Sequence, residues 1–169
     1  MPSPWSSEDE EWMLRALAEA RAAGRLGEVP VGAVVVRGDR AIGVAHNLRE
    51  SRGDPTAHAE LLAVRAAAAA VGGWRLDGCT VYATLEPCIM CAGALWLARV
   101  ARLVFAAHDG KAGAAGSLYN VPADARLNHR LHVEHGLMEE QSEALLRGFF
   151  RDLRRRRRGS DGVEGCPSG

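Results

Sequence analysis

A three-layer α/β/α sandwich around a central, mixed, five-stranded sheet is the fold that this 169-residue sequence predicts. Three observations point to it. Apolar residues recur with helical and strand periods in the order α-β-β-α-β-α-β-β-α. Residues 29–36 form a nearly continuous β-branched run, as expected of a strand buried on both faces. The helical segments that follow are rich in Ala and Leu and are set off by Gly and Pro. The length is that of one domain, and no internal repeat or second domain is visible. Residues 1–158 are assigned to that domain and 159–169 to a disordered tail.

Taken in order, residues 1–7 are rich in Pro and Ser and read as mobile. From residue 8 to about 24, Trp12, Met13, Ala16, Leu17, Ala20 and Ala23 recur at helical spacing. Ser7 is the expected cap, and acids fill the first turn, where the helix dipole favours them. Residues 29–36 form the first strand, 37–40 a turn and 41–45 the returning strand. A polar segment through Asp54-Pro55-Thr56 leads into a helix that runs to about Val71 and breaks at Gly72-Gly73. Residues 79–85 read as a strand, and Glu86-Pro87 launches a helix over about 88–99. Residues 102–107 form the next strand, followed by a glycine-rich loop (110–116) and an irregular polar stretch (120–129). A last strand is expected over 131–134 and a long helix from about 138 to 157.

Composition narrows the class. Apolar residues make up 47%, ordinary for a globular protein. No apolar run approaches the roughly 18 residues of a membrane span, and the acidic start does not resemble a signal peptide. The cysteines, at 79, 88, 91 and 166, do not form a spread-out disulfide framework, so a reducing cytoplasmic setting is expected. A formal charge of zero hides a segregation: residues 8–11 are all acidic, whereas 147–158 carry seven arginines against one aspartate. Phosphate binding follows the local field rather than the sum, so a nucleic-acid partner stays open.

Chemistry concentrates in His58-Ala59-Glu60 and Pro87-Cys88-Ile89-Met90-Cys91. H-x-E followed by P-C-x-x-C is the signature of zinc-dependent nucleobase deaminases. Cys88 and Cys91, three apart in the first turn of a helix, point to one side, and a helix N-terminus and a cation both favour thiolate. His58 completes three protein ligands and leaves a fourth position for water, the catalytic zinc arrangement. Glu60, not a ligand, is the expected proton shuttle. C-x-x-C alone is also compatible with a redox pair or half of a structural zinc site. No fourth protein ligand is evident nearby, and Cys79 reads as a small buried hydrophobe.

With these residues in place, the chain resembles the bacterial tRNA-specific adenosine deaminases of the cytidine deaminase-like superfamily. The resemblance spans roughly residues 8–155 and includes Val29-Pro30-Val31-Gly32-Ala33, Asn47, Asp54-Pro55-Thr56-Ala57, Thr84-Leu85-Glu86 and Ala92-Gly93-Ala94. It continues through Asp109, Gly113-Ala114-Ala115-Gly116-Ser117, Asn128-His129-Arg130 and Phe149-Phe150-Arg151. It implies a cytidine deaminase-like fold, a homodimer, one Zn2+ per subunit, and hydrolytic conversion of the wobble adenosine of an arginine tRNA to inosine. It further implies that Asn47 hydrogen-bonds the purine, that Val31 and Leu85 wall the pocket, and that Ala59 meets substrate through its backbone. Asp109, Lys111, Asn120 and Asn128 would contact neighbouring nucleotides. Phe149 and Arg151, with the 154–158 arginine run, would meet the RNA from the last helix. Core packing also accounts for Val31 and Leu85, turn formation for Asp109 and Lys111, and a solvated face for the arginines. His108, Ala112 and the 123–126 stretch depart from the family pattern.

Two other functions compete. A guanine deaminase, or another deaminase of free bases or nucleosides, would use the same zinc and glutamate. A non-catalytic RNA-binding partner would lack the glutamate, and Glu60 is present.

Overall fold

The computed structural model of the protein describes residues 4–160. Residues 1–3 and 161–169 lie outside the described residues, and with them Cys166 and most of the tail expected to be disordered. The elements are α1 (Ser7–Arg25), β1 (Gly32–Arg37), β2 (Arg40–His46), α2 (Arg49–Arg52), α3 (Ala59–Val71), β3 (Thr80–Leu85), α4 (Ile89–Leu97), β4 (Arg102–Ala107), β5 (His132–His135) and α5 (Glu139–Ser160).

The five strands form one sheet in the order β2-β1-β3-β4-β5. β1 runs antiparallel to both β2 and β3, whereas β3–β4 and β4–β5 are parallel, so the sheet is mixed as expected. Alternation along the strands sends successive side chains to two separate cores. Ala33, Val35, Val81, Ala83, Leu103 and Phe105 pack with Ala59, Ala63 and Ala67 of α3 and Leu95 of α4. Val34, Val36, Tyr82, Val104 and Ala106 pack with Met13, Ala16 and Leu17 of α1, and Leu145 of α5 joins that side. Helices therefore cover both faces.

Burial holds α1 in place more than helix propensity does. Met13 and Leu17 are fully buried, each contributing roughly 1.5–3 kcal/mol. The small residues of α1 let the helix approach the sheet closely. A Cβ on Gly32 would lie 2.1 Å from the Ala16 carbonyl oxygen, so no side chain fits at that crossing.

Three local expectations need correction. The N-cap of α1 is Ser6, not Ser7: both serines have an acid three residues on, but Ser7 is already the first helical residue and Ser6 has the extended backbone of a cap. Its hydroxyl accepts the Asp9 amide at 3.0 Å, and Asp9 reaches back to Ser6 in a capping box. The first strand begins at Gly32 rather than Val29, since Val29, Pro30 and Val31 bend away to line cavities. The short helix α2 interrupts what reads as a polar loop.

Asp9 also ties α1 to the sheet. Its carboxylate accepts the Tyr82 hydroxyl at 2.8 Å and the Arg102 guanidinium at 2.6 Å, and Arg102 in turn pairs with Glu134 on β5. Burial works against the charge on Asp9, but Arg102, Ser6 and Tyr82 outweigh it and hold its pKa at about 2 instead of 3.8. A depressed carboxylate stabilises the fold above its unfolded pKa and loses that contribution as pH falls through the folded one. About 2 kcal/mol is therefore expected to disappear between roughly pH 4 and pH 2. Acid titration of unfolding free energy should show this slope in the wild type and lose it in Asp9→Asn. An identical slope in both proteins would refute the assignment.

Candidate active site

Both chemistry-bearing motifs fall at helix starts, one step earlier than their spacing suggests. His58 is the N-cap of α3 and Cys88 the N-cap of α4, each with extended backbone. Neither side chain caps its own helix. Instead the two meet: His58 Nδ1 lies 3.6 Å from Cys88 Sγ and 3.7 Å from Cys91 Sγ, with Cys91 in the first turn of α4. One donor atom from each residue falls within 4.8 Å of the others, a cluster able to hold a single metal ion. An imidazole and two sulfurs, with no fourth protein donor in the cluster among the described residues, match the chemistry of a catalytic zinc centre.

Glu60 follows His58 in the first turn of α3 and is 3% exposed. Burial pushes its carboxyl up to about 7, which places proton gain and loss within the neutral range. In the metal-free site, hydrogen bonds from Cys91 and His58 bring the Cys88 thiol down to about 4. Its bond to Cys88 raises the His58 imidazole, and the separate bond from Cys91 to Cys88, together with burial, raises the Cys91 thiol.

A cavity of about 210 Å³ opens over this cluster. Val29, Val31, Asn47, Arg49, His58, Ala59, Glu60, Leu85, Glu86, Cys88, Asp109 and Ala112 line it. It falls below the roughly 300–1,000 Å³ of pockets for drug-sized ligands, and suits one flat heterocycle better than a whole nucleotide.

Two buried carboxylates that the sequence reading gave no role support the cavity wall. Glu28 accepts the amides of Glu50 at 3.1 Å and Ser51 at 2.6 Å, and so anchors α2 directly after Asn47. Glu86 accepts the amides of Asp109, Ala115 and Ser117 at 2.9–3.0 Å, and the Ser117 hydroxyl as well. Burial opposes both charges, and the converging donors outweigh it, so both carboxyls are held below their ordinary pKa. An acid placed against apolar strand residues and a proline, as in Val29-Pro30 after Glu28 and Leu85 and Pro87 around Glu86, is the signal that could have found them.

The predicted site residues fall into two groups. His58, Ala59, Glu60, Cys88, Val31, Asn47, Leu85 and Asp109 come together at the cavity, with Cys91 directly behind it. The Asn47 amide donates to the Val29 carbonyl and its oxygen accepts the Arg49 amide, both at 3.3 Å. Lys111 is exposed on the adjacent loop, its amide bonded to the Asp109 carboxylate. Asn120 lines a separate depression with His108, His132 and His135. Asn128 accepts from Arg99 at 2.7 Å just before β4, at the opposite end of the sheet from the cavity. Phe149 lines a cleft between α1 and α5 with Arg21, Arg25, Pro30 and Arg156, and Arg151 is exposed on α5.

A mixed-sheet sandwich with a His/Cys/Cys cluster, a buried glutamate and a base-sized cavity defines a deaminase of nucleobases. Residues 7–154 match the MafB19-like deaminase family. The chain is 47% identical over 152 residues to a tRNA-specific adenosine deaminase of Bacillus subtilis, covering 90% of this chain and 94% of that protein. A solved chain from studies of A-to-I editing by tRNA deaminases at the wobble position superposes with a TM-score of 0.78 at 43% identity, over 80% of this chain and 99% of that one. Guanine deaminase from Bacillus subtilis superposes with a TM-score of 0.59 at 38% identity, over 64% and 69% of the two chains. The chain belongs to the MafB19-like deaminase family and, within it, to the tRNA-specific adenosine deaminases, which makes it a hydrolytic enzyme.

Proposed function

We infer that the protein deaminates the wobble adenosine of a tRNA anticodon, that of an arginine tRNA, to inosine with release of ammonia. The observation that carries this reading is the buried Glu60 beside the His58, Cys88 and Cys91 cluster, at a cavity sized for one base. The likeness to the tRNA deaminases supplies the substrate class. His58, Cys88 and Cys91 would hold one zinc ion per chain, whose Lewis acidity makes hydroxide available at neutral pH.

The chain's own residues do the rest. Glu60 takes the proton of the attacking water, passes it to a ring nitrogen of adenine and delivers a proton to the departing amine, so water and adenosine become inosine and ammonia. A carboxyl held near 7 by burial can carry that proton both ways. Asn47 presents its amide to the purine edge, the Ala59 backbone meets the base, and Val31 and Leu85 close over its faces. Asp109 and Lys111 on the neighbouring loop would touch the adjacent nucleotides. An anticodon loop is single-stranded, so splaying out one base costs little.

Further contacts follow the charge. Arg151 and the exposed arginines over 154–158 lie on α5, next to the cleft lined by Arg21, Arg25 and Phe149, and would bind the RNA phosphates. Asn120 and Asn128 lie off the cavity of their own chain, and they are assigned to RNA outside the flipped base. On α4, Ile89 and Leu97 are 55% and 61% exposed, an apolar strip that supports self-association as a homodimer. No helix among the described residues is long and apolar enough to cross a membrane, and we place the enzyme in the cytoplasm with its tRNA.

The test is inosine formation by zinc-loaded protein on an arginine tRNA anticodon stem-loop with adenosine at the wobble position, with guanine and cytidine run in parallel. Inosine at that single position is the expected result. Turnover of free guanine with an untouched stem-loop would instead assign the chain the activity of its guanine deaminase neighbour.

A further inference from the structure

The Glu86 side chain is fully buried, yet all four of its hydrogen-bond donors come from one surface loop. Oε1 accepts the amides of Ala115 and Ser117, and Oε2 accepts the amide of Asp109 and the Ser117 hydroxyl. The nearest side-chain cation candidate, His108 Nδ1, stands off at 3.4 Å. The same segment receives the loop a second time: the Ala114 amide donates to the Pro87 carbonyl at 2.8 Å, and Gly113 bridges to Cys88. The fit leaves no slack, since a Cβ on Gly113 would lie 2.3 Å from a Glu86 carboxylate oxygen. Glycine at 110, 113 and 116 gives the loop few side chains to pack, and its internal bonds, such as the Gly113 amide to the Asp109 carbonyl at 2.9 Å, shape it without fixing it to the sheet; Glu86 and the Pro87 carbonyl make that connection. From this loop Asp109 and Ala112 reach the cavity wall.

We propose that Glu86 is a positioning residue for substrate recognition: it holds the 109–117 loop in the one conformation that completes the base cavity. Glu86 is not one of the clustered metal donors, its carboxylate is taken up by the loop amides where it borders the cavity, and its effect runs through Asp109 and Ala112. The inference rests on the deaminase reading for its kinetic part only. A glutamine at 86 keeps the volume and one acceptor but turns an amide donor toward the donors of the loop, so part of the clamp opens.

The experiment compares wild type, Glu86→Gln and Ser117→Ala as zinc-loaded proteins. Zinc content, steady-state kinetics on the anticodon stem-loop, and amide hydrogen exchange are measured for each. Glu86→Gln is expected to bind zinc like wild type, to raise KM about tenfold and to change kcat by less than about threefold. The amides of Asp109, Ala115 and Ser117 should exchange faster while those of the sheet do not. An unchanged KM, a fall confined to kcat, or loss of zinc from Glu86→Gln would each overturn the proposal. If Glu86→Gln does not fold, Ser117→Ala carries the test, with a smaller KM rise expected and none overturning it. If even wild type leaves the stem-loop untouched, the functional reading fails. Exchange then decides the clamp, with loop-specific acceleration supporting it and unchanged exchange refuting it.

Discussion

Glu60→Gln should lower the deamination rate by roughly 10²–10⁴-fold while making the metal-free protein more stable at alkaline pH. The activity loss follows from the amide's inability to take up and release a proton. The stability gain follows from burial. The Glu60 carboxyl is pushed from 4.5 up to about 7, so its protonated form suits the fold and its charged form does not. A raised folded pKa contributes stability that is fully present below the unfolded value and lost as pH rises through the folded one. At about pH 8 the wild type is therefore short by up to roughly 3 kcal/mol, which a neutral glutamine does not lose. Thermal melts of metal-free protein should show Glu60→Gln higher by roughly 6–12 °C at pH 8, with the gap closing near pH 5. Equal melting temperatures at both pH values would mean that Glu60 does not bear the cost of ionising in place.

His58→Ala should abolish both zinc binding and turnover. Among the described residues the His58 imidazole, at the N-cap of α3, is the one nitrogen in the cluster, and without it the sulfurs of Cys88 and Cys91 offer an incomplete site. The sandwich itself should survive, because its two cores are built from strand and helix faces that do not depend on the cluster. The measurement is metal content by elemental analysis beside far-UV circular dichroism. Zinc retained at one equivalent would remove His58 from the ligand set. Zinc binding by the wild type should also tighten as pH rises, since His58 and Cys91 both hold their protons more firmly than usual and must release them.

How much of this was legible in the sequence depended on the range of the interactions. His58, Glu60, Cys88 and Cys91 could be read because metal ligation ties residue type to helical spacing. The strands could be read because β-branched runs and alternation are local. The α2 helix could not, since its N-terminal amides are held by Glu28, more than twenty residues away. The choice of Ser6 over Ser7 turned on one residue of offset to Asp9. The Val29-Pro30-Val31 segment has strand composition but faces two cavities, with Val29 and Val31 on one side and Pro30 on the other. The role of Glu86 is not legible in the Thr84-Leu85-Glu86 motif, because its four bonds join it to a loop more than twenty residues downstream. Nothing in the spacing of Asn128 showed that Arg99 would hold it at the far end of the sheet.

Glu86 takes hold of the loop mostly by its main chain, and this has an evolutionary consequence. Main-chain amides are common to every residue but proline, so the grip does not depend on which side chains the loop displays. Gly113 and Ser117 are committed to the grip, whereas Lys111 and Ala112 are not among its donors. Mutation can therefore rewrite the surface offered to neighbouring nucleotides while the frame beneath it stays fixed. Substrate preference in such a scaffold can drift by single substitutions, with the hydrolytic centre inherited unchanged.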